Sequence, residues 1–217
     1  MTADEIPSRI KLAYQTHFGV FSESDSDGRS SDAVEHELWM RVVFDVFEDV
    51  SENKQQLIFE ELWDYFASPD SWRLFDDVEY ALNRLSSFRW LAIGSNFDSR
   101  IKPIAKSFEL IQQMPVFCSA ELGFRKPASS FYDELQKSLE SELPSPNFDS
   151  TALYFIGDDY ENDCAGPTRS GWIGLWLNRQ NESATCNSSS VIQFASLIEA
   201  ADWIRKQHDK DSTPWPD

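Results

Sequence analysis

A cluster of carboxylates follows an apolar run in the second half of the chain. The run 152–156 is rich in strand formers, which is typical of a strand buried on both faces, and Gly157 ends it. Asp158 and Asp163 belong to the acidic stretch that comes next. Acids at the end of a strand are unfavourable unless a cation or hydrogen-bond donors meet them, and Mg2+ binds carboxylate oxygens. The pattern therefore predicts either a metal site at these two residues or a solvated acidic loop that caps the next helix.

Two further positions carry groups that suit a phosphate. Ser95 comes shortly after the apolar run 88–93 and offers a hydroxyl beside backbone amides at a helix start, an arrangement that binds phosphate oxygens. Lys126 precedes Pro127 and offers a positive charge for a phosphoryl oxygen or for the clustered carboxylates. Each residue also has an interpretation without phosphate binding: Ser95 is suited to a helix cap, and Lys126 is suited to an exposed surface position. Their order in the chain, together with the acid pair, favours one shared site.

These groups need strands and helices to position them, and the apolar patterning after Pro69 predicts both. Parallel strands present functional groups at their carboxyl ends, where all three candidate segments lie. Between them, residues 121–127 are predicted as a loop. Apolar runs predict strands at 88–93, 116–118, 152–156, 172–177 and 191–194, and helices at 77–85, 100–110, 131–139 and 197–206.

The first third of the chain predicts helices and no strand. Apolar residues recur at helical spacing from Ile6 to Phe18. Asp32 is predicted to cap a second helix, and Ser51 to open a third. This part of the chain reads as a small helical bundle or cap.

Composition narrows the classes of function. The 217 residues include 37 acidic and 19 basic side chains, a net charge of −18, which argues against nucleic acid and anionic membranes as partners. No signal peptide and no apolar run long enough to span a bilayer is visible. The 3 cysteines are scattered, which is typical of reduced thiols and predicts a cytoplasmic protein.

Three stretches occur in a fixed order: LAIGSNFD at Ser95, GFRKPASSF at Lys126, and YFIGDDYENDCAGP with Asp158 and Asp163. They resemble the second, third and fourth motifs of the haloacid dehalogenase superfamily of hydrolases and phosphatases, most of all a subgroup with a helical cap. The resemblance covers roughly residues 73–177 closely and the first third more loosely. It implies an α/β fold with a Rossmann-like parallel sheet, a catalytic Lys126, phosphate binding by Ser95, Asn96 and Lys126, and Mg2+ bound by Asp158 and Asp163.

The family's first motif has no counterpart of the expected form. In that family a nucleophilic Asp, the first of a DxD pair, ends a first strand ahead of the cap. The sequence DSDG at residues 25–28 is similar, but the residues before it are too polar for a buried strand. We therefore expect the chain to begin after the catalytic aspartates. The missing strand would lie between those ending near Ser95 and Asp158, which would then pair directly or keep unpaired edges.

The sequence thus predicts a cap-like region at 1–72, an α/β core at 73–208 and a polar tail at 209–217. Two functions remain open. The first is a Mg2+-dependent hydrolase of phosphoric esters, active in a longer form and acting on a small phosphorylated metabolite. The second is a catalytically inactive binding or regulatory protein that keeps the phosphate-binding groups.

Overall fold

The structure is a computed structural model that describes residues 3–19, 28–86, 90–142, 153–181 and 192–210. Parallel strands and helices alternate over the second half of these ranges, as the apolar patterning predicts. The helices are α1 (Ile6–Phe18), α2 (Asp32–Val46), α3 (Glu52–Ala67), α4 (Val78–Leu85), α5 (Ile101–Lys106), α6 (Ser119–Leu122), α7 (Ser129–Glu142), α8 (Gly166–Arg169) and α9 (Leu197–Lys210).

The described strands form two parallel sheets. β1 (Ile93–Ser95) pairs with β2 (Val116–Cys118), and β3 (Tyr154–Gly157), β4 (Ile173–Leu177) and β5 (Ile192–Phe194) lie in the order β3-β4-β5. The α/β class with parallel strands is therefore confirmed. Within the described residues β1 is paired with β2 alone and β3 with β4 alone, so the direct pairing considered from the sequence is not found.

Contacts divide the chain into two compact units. The first comprises residues 1–73 and 92–125, and the second comprises residues 74–91 and 126–217. The predicted division of the chain into a cap-like region, a core and a tail, at residues 72 and 208, stays a prediction. The two compact units are defined by contacts and do not test it.

In the first unit, α1 packs on α2 through the apolar faces that the sequence predicts. Ala13 and Phe18 of α1 are buried against Val42 and Val46 of α2, with Trp39 partly buried beside them. The predicted span 6–18 is confirmed. The cap of α2 was predicted one residue late: the Ser31 hydroxyl accepts the Val34 N–H at 3.2 Å, so Ser31 is the cap.

In the second unit, α4 and α9 cover the β3-β4-β5 sheet. Leu175 at the centre of β4 is fully buried, and it lies in one cluster with residues of both helices. The core of this cluster is Ala81, Leu85, Leu175, Ala201 and Ile204.

One carboxylate joins three segments of this unit. Asp77, just before α4, accepts two hydrogen bonds from the Arg179 guanidinium, at 2.8 and 2.9 Å. It also accepts the backbone N–H of Leu197, the first residue of α9, at 2.8 Å. These bonds lower the pKa of Asp77 below its ordinary value, the Arg179 hydrogen bond most of all. Asp77 therefore ties the starts of α4 and α9 to the residues that follow β4.

Several predicted spans differ from the structure at their ends. The strand predicted at 88–93 is assigned only at Ile93–Ser95, with residues 87–89 outside the described ranges. The helix predicted at 100–110 ends at Lys106, and the predicted loop 121–127 begins inside the one-turn helix α6. Among the described residues, no helix has the length and apolar character needed to cross a membrane.

Candidate functional site

Lys126 and Asp163 form a nearly buried ion pair in the second unit. Lys126 Nζ lies 2.6 Å from Asp163 Oδ1, and the two side chains are only 9% and 6% exposed. Each charge in this pair compensates the other, since either charge alone would be poorly solvated at a buried position. The ammonium also lies 5.0 Å from the centre of the Phe155 ring on β3. The alternative of a plain surface lysine is therefore excluded by the structure.

The second oxygen of Asp163 is bound by the backbone of the loop after β3. Asp163 Oδ2 accepts the N–H of Asp159 at 3.0 Å. A β-carbon added at Gly157 would lie 2.2 Å from the same oxygen, so only glycine leaves room for the carboxylate here. The chain then makes a turn of π-helix, Tyr160–Ala165, and the wider turn places Asp163 back against the end of β3.

Burial and charge act in opposite directions on Asp163. Loss of hydration raises the pKa of the Asp163 carboxyl above its ordinary value, and Lys126 acts against this by favouring the ionised form. Asp158 adds to the upward shift through its negative charge. The pKa of Asp163 therefore depends directly on whether Lys126 is present.

Asp158, unlike Asp163, is exposed at the carboxyl end of β3. Its backbone carbonyl accepts the indole N–H of Trp176 on β4 at 2.9 Å, which fixes the main chain at this position. The two predicted metal ligands therefore lie in one loop, with one directed to Lys126 and the other at the surface.

Tyr132 is a site-supporting residue that the sequence did not reveal. It lies on α7, fully buried, and its hydroxyl donates to the carbonyl of Asn162 in the π-turn at 2.5 Å. A β-carbon at Gly166 would lie 2.3 Å from this hydroxyl. The glycine of the GP pair that follows the acids is thus explained by the approach of Tyr132, and a buried tyrosine on a helix gives no sequence signal of such a role.

Ser95 and Asn96 lie in the first unit, at the end of β1. Ser95 is opposite Cys118 in the register of the two parallel strands. Three amides that follow already have partners: the N–H groups of residues 97, 99 and 100 donate to Ser119 Oγ, Asp32 Oδ1 and Asp98 Oδ1. Phosphate binding here would therefore rest on the side chains of Ser95 and Asn96 more than on the backbone amides that the sequence suggested.

A buried charged network in the first unit was also missed from the sequence. Glu35 of α2 and Arg125 are 1% and 3% exposed, and Arg125 Nη1 lies 3.1 Å from Glu35 Oε2. The hydroxyls of Ser30 and Ser119 donate to Glu35 Oε1 at 2.6 and 3.2 Å. This network joins α2 to Ser30, to the start of α6 and to Arg125 through side-chain contacts.

The remaining sequence candidate, Asp25 and Asp27 of the DSDG stretch, lies outside the described residues. In the part of the chain that the structure describes, no group of three or more His, Cys, Asp and Glu side chains is placed to hold a metal ion. The oxygens of Asp158 and Asp163 have the right chemistry for Mg2+, but both oxygens of Asp163 are already bound. Asp158 is thus the residue here that fits a direct ligand.

Known proteins resemble this chain in sequence and in fold. Haloacid dehalogenase-like hydrolase domain-containing protein 3 of Bos taurus is 27% identical over 137 residues, which are 60% of this chain and 51% of that protein. The chain thus spans about half the length of this curated relative. No protein-family model matches the chain.

Two solved structures show the fold. The HAD-hydrolase YfnB of Bacillus subtilis, solved bound to magnesium, has a TM-score of 0.68 at 19% identity, over 94% of this chain and 84% of that one. The 2-haloacid dehalogenase of Pseudomonas syringae pv. tomato DC3000 has a TM-score of 0.55 at 18% identity, over 96% of this chain and 83% of that one.

Proposed function

We propose that this chain carries the phosphate-binding and metal-binding groups of a Mg2+-dependent hydrolase of phosphoric esters. Its fold and its likeness to a curated haloacid dehalogenase-like hydrolase-domain protein support this. The observation that supports this most is the buried pair of Lys126 and Asp163, with Nζ and Oδ1 2.6 Å apart. A fixed ammonium beside a strand end is suited to the negative charge of a phosphoryl group.

Each residue of the site has one role in this proposal. Lys126 binds a phosphoryl oxygen and stabilises the charge that develops on it. Asp163 orients Lys126 through the 2.6 Å contact between Oδ1 and Nζ, and it moves no proton itself. Ser95 and Asn96 are proposed to bind phosphate through their side chains.

Mg2+ would be held through the exposed carboxylate of Asp158. When bound, the ion would neutralise charge on the phosphoryl group. Water and substrate would supply most of the ligands in the coordination shell of the ion, because Asp163 is engaged with Lys126 and Asp159. We expect weak Mg2+ binding by this chain for the same reason.

The reaction also needs an attacking carboxylate, which none of these residues supplies. Asp163 is not suited to this role, because its side chain is nearly buried and is held by Lys126 and the Asp159 amide. Asp25 and Asp27 of the DSDG stretch are the candidates in this chain. The substrate we propose is a small phosphorylated metabolite met in the cytoplasm, since a net charge of −18 disfavours polyanions.

Binding and turnover test the two halves of the proposal separately. Calorimetry with inorganic phosphate in the presence of Mg2+ should show binding that Lys126→Gln weakens at least tenfold. The matched control is Lys137→Gln, which replaces an exposed lysine of α7 and should leave the affinity unchanged. Equal affinities of the wild type and Lys126→Gln would overturn the role of Lys126.

Turnover locates the nucleophile. We expect the 217-residue chain to hydrolyse p-nitrophenyl phosphate no faster than Lys126→Gln, because positioning groups alone do not replace a nucleophile. Turnover that is lost in Asp25→Asn or Asp27→Asn would assign the nucleophile to the DSDG stretch and contradict our interpretation of the first third as a plain cap.

A catalytically inactive binding or regulatory protein is the second candidate. It is favoured by one observation, that the described residues hold no group of three potential metal ligands. Phosphate binding without any turnover, in the longest form of the protein that can be expressed, would support this candidate over the hydrolase.

A further inference from the structure

Two exposed aromatic rings in the first unit, Phe66 and Trp72, adjoin the half-buried ring of Phe97. Phe66, near the end of α3, and Trp72 are 44% and 38% exposed. Their ring centres are 6.0 Å apart, and the Trp72 ring lies 5.7 Å from that of Phe97. Large exposed rings that touch one another are uncommon on a soluble surface and mark places where something apolar binds.

These rings are held in place before anything binds to them. The indole N–H of Trp72 donates to the backbone carbonyl of Phe66 at 3.1 Å, which fixes the ring relative to α3. Phe97 is supported from the other side by Arg100, whose guanidinium lies 5.6 Å from the Phe97 ring and 3.2 Å from that of Trp63. A rigid aromatic surface loses little conformational entropy when a ligand stacks on it.

The rings are continuous with the candidate phosphate-binding residues. Phe97 directly follows Ser95 and Asn96 in the loop after β1, and all of these residues belong to the same compact unit. Phe97, whose ring contacts Trp72, is thus the link between the candidate phosphate-binding residues and the exposed rings.

We propose that Trp72 and Phe66 form a stacking subsite for a planar aromatic leaving group of the substrate. This rests on the proposed function, and it narrows the substrate class to aryl and other aromatic phosphoric esters. The indole and phenyl faces attract a flat ring more strongly than a short alkyl group, because the contact area and the ring electrostatics both favour stacking.

Calorimetry with two esters that differ only in the leaving group tests the subsite. Phenyl phosphate should bind the wild-type chain about tenfold more tightly than methyl phosphate, a ratio typical of one stacked ring. Trp72→Ala should reduce the ratio to about one, whereas Trp72→Phe should keep most of it. The matched control is Trp90→Ala, which removes an indole of similar exposure, 44%, from the second unit and should leave the ratio unchanged.

The outcomes separate this inference from the proposed function. Equal affinities of the wild type for the two esters, with binding still weakened by Lys126→Gln, would overturn the subsite and leave the function standing. Loss of the ratio in Trp90→Ala as well as in Trp72→Ala would also overturn it. If neither ester nor inorganic phosphate binds the wild type, both proposals are wrong. The wild-type ratio needs no variant, so the test holds even if Trp72→Ala does not fold.

Discussion

Lys126 and Asp163 form an ion pair at a position that water hardly reaches. Buried ion pairs of this kind contribute little net stability, because desolvation offsets their attraction, but the loss of one partner leaves a costly charge behind. In the wild type the cost is limited by the Asp159 amide, which satisfies the second oxygen of Asp163. The pair is therefore best understood as fixing the position of the ammonium rather than as holding the fold together.

Lys126→Met should destabilise the protein in a pH-dependent way. Without Lys126 the pKa of Asp163 rises further, because burial then acts unopposed. The folded variant would bind a proton that the unfolded chain has already released, so its stability falls as the pH rises. We expect a loss of about 3 kcal/mol at pH 8, measured by urea unfolding, and a smaller loss at pH 5.

Two variants check this interpretation. Lys126→Met combined with Asp163→Asn should recover part of the loss at pH 8, because no unpaired charge remains. Lys137→Met, which removes an exposed lysine, should change the unfolding free energy by less than about 0.5 kcal/mol at both values of pH. A loss that is the same at pH 5 and pH 8 would argue against a buried charge as its cause.

Residue types in order along the chain were enough to single out Lys126 and Asp163 but not their supports. A lysine before a proline and an acid after an apolar run have a recognisable local context. Glu35 and Arg125 have none, because charged residues far apart in sequence give no periodic signal of a buried pair. Tyr132 is hidden for a related reason, since it occupies a core position of α7 like any other apolar residue.

At the scale of the elements, apolar periodicity predicted where helices and strands occur better than where they end. The spans of α1 and β2 are confirmed as predicted, since their ends coincide with the ends of apolar patterns. β1 is displaced toward Ser95, because its ladder to β2 continues past the apolar run. The π-turn at Tyr160–Ala165 could not be predicted, as its geometry comes from Asp163 packing on Gly157.

Asp77 gives the junction of α4 and α9 a defined dependence on acid. Its folded pKa is lowered, so between that value and the ordinary value near 3.8 the unfolded chain binds more protons than the folded one. The stability that Asp77 contributes is therefore fully present above about pH 5 and is lost as the pH falls through the folded pKa. Asp77→Asn should cost roughly 1–3 kcal/mol at pH 6 and less at pH 3, measured by urea unfolding.

A matched substitution controls for general acid effects. Asp202→Asn removes an exposed acid of α9 that lies 3.3 Å from Arg84, and it should shift the unfolding midpoint only slightly at either pH. If Asp77→Asn costs as much at pH 3 as at pH 6, the three hydrogen bonds stabilise the fold regardless of the charge on Asp77. The predicted dependence of stability on pH is then wrong.

At the scale of the whole molecule, 37 acidic residues against 19 basic ones leave a large excess of like charge. Salt weakens this repulsion and also weakens surface ion pairs such as that of Lys102 with Glu121. Because the acids far outnumber the bases, we expect the repulsion to dominate. Raising NaCl from 10 to 200 mM should increase Tm by about 2–4 °C in calorimetry, which corresponds to about 1 kcal/mol.

The direction in which Tm changes with salt shows whether the net repulsion or the surface ion pairs dominate. A Tm that falls with added salt would mean that the surface ion pairs outweigh the net repulsion. Sodium chloride is the suitable salt for the comparison, since sulfate also stabilises proteins by being excluded from their surface.

The order in which the two units occur along the chain has a consequence for synthesis on the ribosome. Residues 74–91 belong to the second unit but are made before residues 92–125 of the first. The apolar face of α4 therefore leaves the ribosome early, while its partner helix α9 is among the last segments to emerge. During the interval α4 remains uncovered, and at a synthesis rate of about 5–20 residues per second this lasts several seconds. A nascent chain stalled within residues 126–196 should accordingly be a good client for chaperones that bind exposed apolar helices.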